Sequence, residues 1–143
     1  MVNVASMTDR NEWNRRVIEE FRANHGKVGG TFEHMPLLLL HHRGATSGVE
    51  RVNPLAYRRV GASVAVFASA GGQPSNPHWY YNLVANPDVT VELGEDRYSA
   101  RARVARGEER ERIWRDVTSV LPVFAQYQER SGRRIPVVVL DPT

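Results

Sequence analysis

The chain has 143 residues, with 19 basic against 16 acidic side chains, a formal charge of +3 and a pI near 9.7. It has no cysteine, which excludes disulfides, thiolate catalysis and thiolate metal centres. The length suits one domain, residues 1–143, that buries roughly two thirds of its unfolded surface without staples.

No apolar run approaches the ~20 residues of a membrane span. The start, Met-Val-Asn-Val-Ala-Ser-Met, has no charged region leading into an apolar one, so a cytoplasmic protein is the default expectation. All the basic residues except Lys27 are arginine. Codon bias in a GC-rich genome accounts for this. The functional reading is a preference for anions, because the guanidinium fork matches phosphate and carboxylate. The basic residues are scattered and no nucleic-acid motif is present, so nucleic acid is not an expected partner.

In chain order, residues 1–8 are expected to be disordered. A helix is expected from Arg10 to Asn24, with Asp9 and Glu12 spaced as a capping box. Trp13, Val17, Ile18 and Phe21 share one face, and His25-Gly26 and Gly29-Gly30 end the segment. Core packing is the plain role for this helix; a lid over a site or contact with a membrane surface is the sharper one. Met35 to His41 is a continuous apolar run and reads as a buried strand. His42 to Gly48 is a polar turn punctuated by glycine. Arg51 to Arg59 reads as the next strand, and Gly61-Ala62 turns it into a third, Ser63 to Ser69. Pro54 cannot donate to a strand ladder, which implies an edge, a bulge or a ligand-facing position.

The stretch Ala70 to Pro87 passes from a glycine loop into a short helix, Pro77 to Ala85. Asn76 is placed to cap it and Pro77 to occupy its first position. His78, Trp79, Tyr80 and Tyr81 crowd its first turn. Glycine amides at Gly71 and Gly72, beside a helix start, can form an anion-binding concavity. The plain alternative is a turn and core aromatics. Val89 to Leu93 and Arg97 to Ala105 form a hairpin across Gly94-Glu95-Asp96. Tyr98, Ala100, Ala102 and Val104 lie on one face; Arg97, Ser99, Arg101 and Arg103 lie on the other, solvated face. Helices follow at Glu108 to Ser119, with Ile113, Trp114 and Val117 inward, and at Val123 to Arg130, after a break at Leu121-Pro122. Ile135 to Leu140 is the last strand. The sum is an α+β fold: about six mostly antiparallel strands in a partly open or closed barrel, with an N-terminal helix and other helices outside.

Chemistry without a cofactor has little support. Ser47, Ser69 and Ser75 lack a nucleophile elbow. The histidines, His25, His34, His41, His42 and His78, have no metal-ligand spacing, so no metal is expected. His41 and His42 would point to opposite faces of a strand. There is no Walker loop and no dinucleotide fingerprint. What remains is the polar and basic stretch from Arg43 to Arg51, the glycine loop and the aromatic helix, which together suit a planar ring with an anionic tail.

Four segments at fixed spacing carry a resemblance. They are Pro36-Leu37-Leu38-Leu39-Leu40, then Ser47-Gly48-x-x-Arg51-Val52-Asn53-Pro54-Leu55. The third is Gly71-Gly72-x-x-x-Asn76-Pro77-x-Trp79-Tyr80-x-Asn82-Leu83-x-Ala85-Asn86-Pro87, and the last is Ile135-Pro136-Val137-Val138. Over about residues 35–141 the chain resembles the deazaflavin-dependent nitroreductases, split-β-barrel oxidoreductases that use coenzyme F-420. The resemblance implies that Arg43, Ala45, Thr46, Ser47, Gly48 and Arg51 hold the anionic tail of the cofactor. Asn53, Pro54 and Leu55 would line its ring and ribityl region, and Ala68, Ser69, Ala70, Gly71, Gly72, His78, Trp79 and Asn82 would close the other side. Tyr127 would stand on the substrate side as a catalytic proton donor.

The chain departs from the family at Thr46, where relatives commonly carry arginine or lysine, and at Ala70, where they carry lysine; Arg43 is near enough in sequence to compensate. Leu121 and Phe124 replace two of the usual tyrosines. The implied activity is hydride transfer from reduced F-420 to a small, electron-poor hydrophobic substrate, such as an unsaturated lactone or enone, a quinone or a nitroaromatic. The implied assembly is a monomer or homodimer. The rival readings are a non-catalytic F-420 carrier and a relative that binds FMN or haem.

Overall fold

The computed structural model describes residues 4–28 and 36–143, with side chains from residue 12 onward. The expectations placed on Met35, His34, Gly29-Gly30, the Asp9 side chain and the first three residues lie outside it. The strands are β1 (Leu37–Arg43), β2 (Glu50–Val60), β3 (Ser63–Phe67), β4 (Asp88–Leu93), β5 (Asp96–Val104) and β6 (Val137–Pro142), and the helices are α1 (Val4–Ala23), α2 (His78–Ala85), α3 (Gly107–Val120) and α4 (Val123–Ser131). The strands close into a barrel in the order β1-β2-β3-β6-β5-β4, and every pairing is antiparallel.

Leu38, Leu40, Val64, Val66, Val91, Ala100, Val138 and Leu140 fill the interior, and Trp79 and Leu83 of α2 plug one end. A second core lies outside the barrel wall. Ala65, Phe67, Val137 and Val139 meet Ile113, Trp114 and Val117 of α3 and Phe124 of α4 there. β3 and β6 are therefore buried on both faces, which is why they read as unbroken apolar runs. β5 has one wet face and alternates as expected. Two of its arginines are paired rather than merely solvated: Arg101 reaches Asp88 at 3.3 Å, and Arg103 reaches Asp141 at 2.6 Å and Glu109 at 2.6 Å.

Two helix starts differ from the sequence reading. α1 begins at Val4, so Asp9 lies inside the helix and cannot cap it. Val17 and Phe21 are buried, but Trp13 is 47% exposed and turns towards the cleft described below, so only half of the expected apolar face packs as core. The cap of α2 is Pro77, in an extended conformation and with no side-chain cap. The Asn76 amide has a stronger competitor in a guanidinium. Strand limits shift by a few residues: β3 stops at Phe67, and β6 begins at Val137.

α1 is tied to the barrel by Arg22, which donates to both carboxylate oxygens of Glu92 at 3.2 and 2.8 Å. Gly26, at φ 91°, lets the chain pass against the β4–β5 turn. A Cβ there would lie 2.5 Å from the Gly94 Cα.

Candidate functional site

β2 pairs with β1 along Glu50–Ala56, but with β3 only from Tyr57 to Val60. The barrel wall is therefore split beside Arg51–Ala56, and the split opens into a cleft of about 1400 Å³. Pro54 sits on this one-sided stretch, opposite Leu39, where its missing N–H interrupts no second ladder. Five segments complete the cleft: the turn after β1 (Gly44–Ser47), the loop from Ser69 to Pro77, the start of α2, and the faces of α1 and α4 that carry Trp13, Ile18, Phe124 and Tyr127.

Of the residues implied by the resemblance, Ala45, Thr46, Ser47, Arg51, Asn53, Pro54, Leu55, Ser69, Ala70, Gly71, His78, Trp79, Asn82 and Tyr127 all line this cleft. Arg43, Gly48, Ala68 and Gly72 do not. Arg43 lines a smaller groove with His41, Glu50 and Arg97. Ala68 is fully buried in the barrel core. Gly72, at φ 86°, lies against α4, where a Cβ would come within 3.3 Å of the Tyr127 backbone.

The turn after β1 has few amides to give. Gly44 N–H donates to the Val49 carbonyl and Gly48 N–H to the Gly44 carbonyl. Ala45 N–H donates to Asn82 Oδ1 at 2.8 Å, and Val49 N–H to Ser47 Oγ at 3.2 Å. Among the described residues, no partner takes the amides of Thr46 and Ser47. Both residues are exposed at the cleft rim, with the Arg51 and Arg15 guanidiniums on the same cleft. These donors and cations suit an anion. The far end is a slab of Pro54, Leu55, Phe67, Trp79, Phe124 and Tyr127. Phe67 and Phe124 stack tilted at 5.2 Å, and Tyr127 stands edge-on to Phe124 at 5.7 Å. Between the two ends, Gly71 at φ 64° has open space where a Cβ would be, so a ligand can approach its backbone closely. An anion end joined to a flat apolar slot fits a planar ring with a charged tail.

Two features were missed from the sequence. His42 is 2% exposed and hydrogen-bonds both asparagines of the site: its Nε2 meets Asn53 Oδ1 at 2.7 Å, and its Nδ1 meets Asn82 Nδ2 at 3.2 Å. Burial, reinforced by the nearby Arg51 and His41 charges, holds its pKa below the ordinary histidine value; the Asn53 hydrogen bond opposes this shift. Two-residue alternation from Leu38 and Leu40 would have placed His42 inside the barrel. The second feature is Arg133, whose guanidinium gathers the loop from Ala68 to Asn76. It stands 57 or more residues along the chain from those partners, and no local pattern marks it.

The family model for F420H(2)-dependent quinone reductases matches residues 13–142. A Mycobacterium tuberculosis protein, provisionally named as such a quinone reductase, is 44% identical over 108 residues, covering 76% of this chain and 91% of the relative. A solved structure of an F420-H2 dependent reductase superposes with a TM-score of 0.69 at 38% identity, over 74% of this chain and 94% of that one. Another, described as a domain-swapped dimer, gives 0.71 at 34% identity, over 92% and 99%.

Proposed function

The chain belongs to the F420H(2)-dependent quinone reductase family, and from that premise we propose that it is an oxidoreductase whose cleft holds reduced coenzyme F-420 and a flat quinone against each other. The observation that carries this reading is the joining, in one cleft, of an anion-accepting rim to an apolar slot. When bound, the reduced deazaflavin supplies a hydride. Thr46 and Ser47 amides and the Arg51 guanidinium would receive the phosphodiester and carboxylate tail. Arg15 is the cation that this chain offers in the same cleft, where relatives carry basic residues at the positions of Thr46 and Ala70. Asn53, Pro54 and Leu55 on one side, and Ser69–Gly71 and Trp79 on the other, would hold the ring.

Phe67, Phe124, Tyr127 and Trp13 line the rest of the cleft and would form the apolar wall of the face where a substrate stacks. The Tyr127 hydroxyl would donate to the substrate oxygen on which charge develops. The same wall accepts other flat, electron-poor acceptors, and we extend the proposal to enones, unsaturated lactones and nitroaromatics. The swapped dimer of the 34%-identical relative supports the homodimer over the monomer.

The test is to mix the purified chain with F-420, FMN and haem in turn, and then with reduced F-420 and a small naphthoquinone. Tight binding of F-420 alone, followed by quinone-dependent reoxidation of the reduced form, is expected. Binding without turnover would make the protein a carrier. Preference for FMN or haem would overturn the cofactor assignment.

A further inference from the structure

His42 links Asn82 of α2 to Asn53 of β2, and the polarity of that chain is fixed at one end. A backbone N–H can only donate, and the Ala45 N–H meets the Asn82 side chain at 2.8 Å. The Asn82 atom facing Ala45 is therefore its carbonyl oxygen, and its NH₂ group faces His42 Nδ1 at 3.2 Å. Nδ1 must accept, so the proton of a neutral imidazole sits on Nε2. Nε2–H then donates to Asn53 at 2.7 Å, and the atom it meets must be the Asn53 oxygen. The Asn53 NH₂ group is left on the opposite arm of its amide.

That NH₂ group has no partner among the described residues. None of their side-chain nitrogens or oxygens is both buried and unpartnered, so it is reachable, and Asn53 lines the cleft. An asparagine on a strand edge would ordinarily be free to flip and to offer either an acceptor or a donor. Here two buried side chains, at 2% and 7% exposure, hold one orientation.

We propose that His42 is a positioning residue: through a directional chain from Ala45 and Asn82 it holds the Asn53 amide so that the cleft always meets a hydrogen-bond donor, which selects a ring ligand with a carbonyl at that point. The orientation of the amide stands on the geometry alone; the identity of the ligand rests on the F-420 reading, whose ring system carries carbonyls on its pyrimidine edge. Protonation of His42 would break the chain, because Nδ1 would then point a proton at the Asn82 NH₂ group. The charged and titratable groups around it are His41 on its own strand and Arg51 on β2. Both oppose a second proton, and Asn53 favours it. Neutral His42 is the working form.

The first measurement uses the ligand-free chain. Two-bond ¹H–¹⁵N correlations of the His42 ring at neutral pH should show a bare Nδ1 and a protonated Nε2; the reverse tautomer overturns the proposal. The second is F-420 affinity in variants checked for an unchanged fold by circular dichroism. His42→Gln places an NH₂ group near the Nε2 position and should keep affinity within about twofold of the parent. His42→Leu keeps the volume but not the lock, and should weaken binding about five- to tenfold, the scale of one neutral hydrogen bond. Burial places the titration of His42 below the ordinary histidine pKa of about 6.5, so lowering the pH from about 7 to well below that value should weaken binding to the parent more than to His42→Gln. Equal affinity of His42→Leu and the parent would overturn the role. If the parent binds no F-420, the cofactor reading fails, while the ring tautomer still decides whether the lock exists.

Discussion

Arg133 Nη1 donates to the Asn76 side-chain oxygen at 2.5 Å, and this contact takes away the residue that the sequence offers as the cap of α2. The same guanidinium donates to the Gln73 carbonyl at 3.2 Å, the Ala68 carbonyl at 3.0 Å, the Ser75 carbonyl at 3.1 Å and the Ser69 carbonyl at 3.3 Å. No carboxylate among the described residues pairs with it. One cation thus replaces the regular hydrogen bonding that a cleft-lining loop lacks, and it sets the loop's shape from behind.

Arg133→Met is therefore expected to loosen this loop while leaving the barrel closed. Charge-assisted hydrogen bonds contribute about 1.5–3 kcal/mol, which corresponds to a melting temperature roughly 5–10 °C lower for a chain of this size. Limited proteolysis should cut between residues 68 and 76 sooner than in the parent, and Arg133→Lys should recover only part of the protection. An unchanged cleavage rate would mean that the loop holds its own shape.

The barrel was legible because its signals are local. Alternation in Tyr98–Val104, the apolar runs at Leu37 and Val137, and the turn at Gly94 each state a strand and its wet or dry face. The grouping of Arg51, Asn53, Leu55, Trp79 and Asn82 was legible only through linked motifs, since no spacing brings β2 beside α2 until the barrel closes. Arg133, Arg15 and His42 were not marked. Their partners are set by tertiary register, and a lone arginine or histidine on an apolar run has the same sequence signature whether it is structural or functional. Arg43 lines the smaller groove for the same reason: one residue of strand pleat decides which groove a side chain faces.

Ala70 holds φ 49°, the left-handed region, where an L side chain costs about 1–2 kcal/mol. Ala70→Gly should relieve that strain but lose roughly 0.5–1 kcal/mol to the freer unfolded chain, for a small net gain in stability measured by urea melts. Ala70→Lys meets the same strain as alanine, so its fold should be unaffected. Its added cation on the cleft should tighten F-420 binding, with a gain that shrinks as salt rises because exposed charges are screened over about 10 Å at 0.1 M. A salt-independent change would place the side chain away from the anionic tail.

Arg51 is exposed on the cleft, on the one-sided stretch of β2. Arg51→Ala should leave the melting temperature nearly unchanged and weaken F-420 binding about tenfold or more, the equivalent of one charge-assisted hydrogen bond. Isothermal titration at low salt reads this directly, and an unaltered affinity would remove Arg51 from the tail contacts.

Glu92 joins α1 to β1: it accepts from Arg22 and lies 2.5 Å from His41 Nε2. Arg22 first, with His41 assisting, pulls its carboxyl down to about 2 from an ordinary 4.5 against the opposing effect of burial. Because the folded value is the lower one, the stabilisation is complete above about pH 4.5 and is lost as pH falls towards about 2. Glu92→Gln should lower stability at neutral pH and flatten the acid limb of the pH–stability curve over that window. A limb as steep as the parent's would assign acid unfolding to other carboxylates.

Tyr127→Phe is expected to lower turnover while leaving F-420 affinity nearly intact. α4 holds Phe124 buried against Phe67 and turns the half-buried Tyr127 to the cleft, so its ring completes the apolar wall and its hydroxyl is a polar group on that face. Hydride delivery to a quinone leaves negative charge on an oxygen, and a donor fixed beside it in a dry site can be worth a hundredfold or so in turnover. The substitution keeps the ring and its edge-on contact with Phe124, so packing survives whether or not the hydroxyl takes part. The discriminating measurement is turnover with saturating reduced F-420 and a naphthoquinone, compared in water and deuterium oxide. A slower variant with normal cofactor affinity and an altered solvent isotope effect assigns the proton to Tyr127. Parent-like turnover and isotope effect would leave proton delivery to water and reduce Tyr127 to a wall residue.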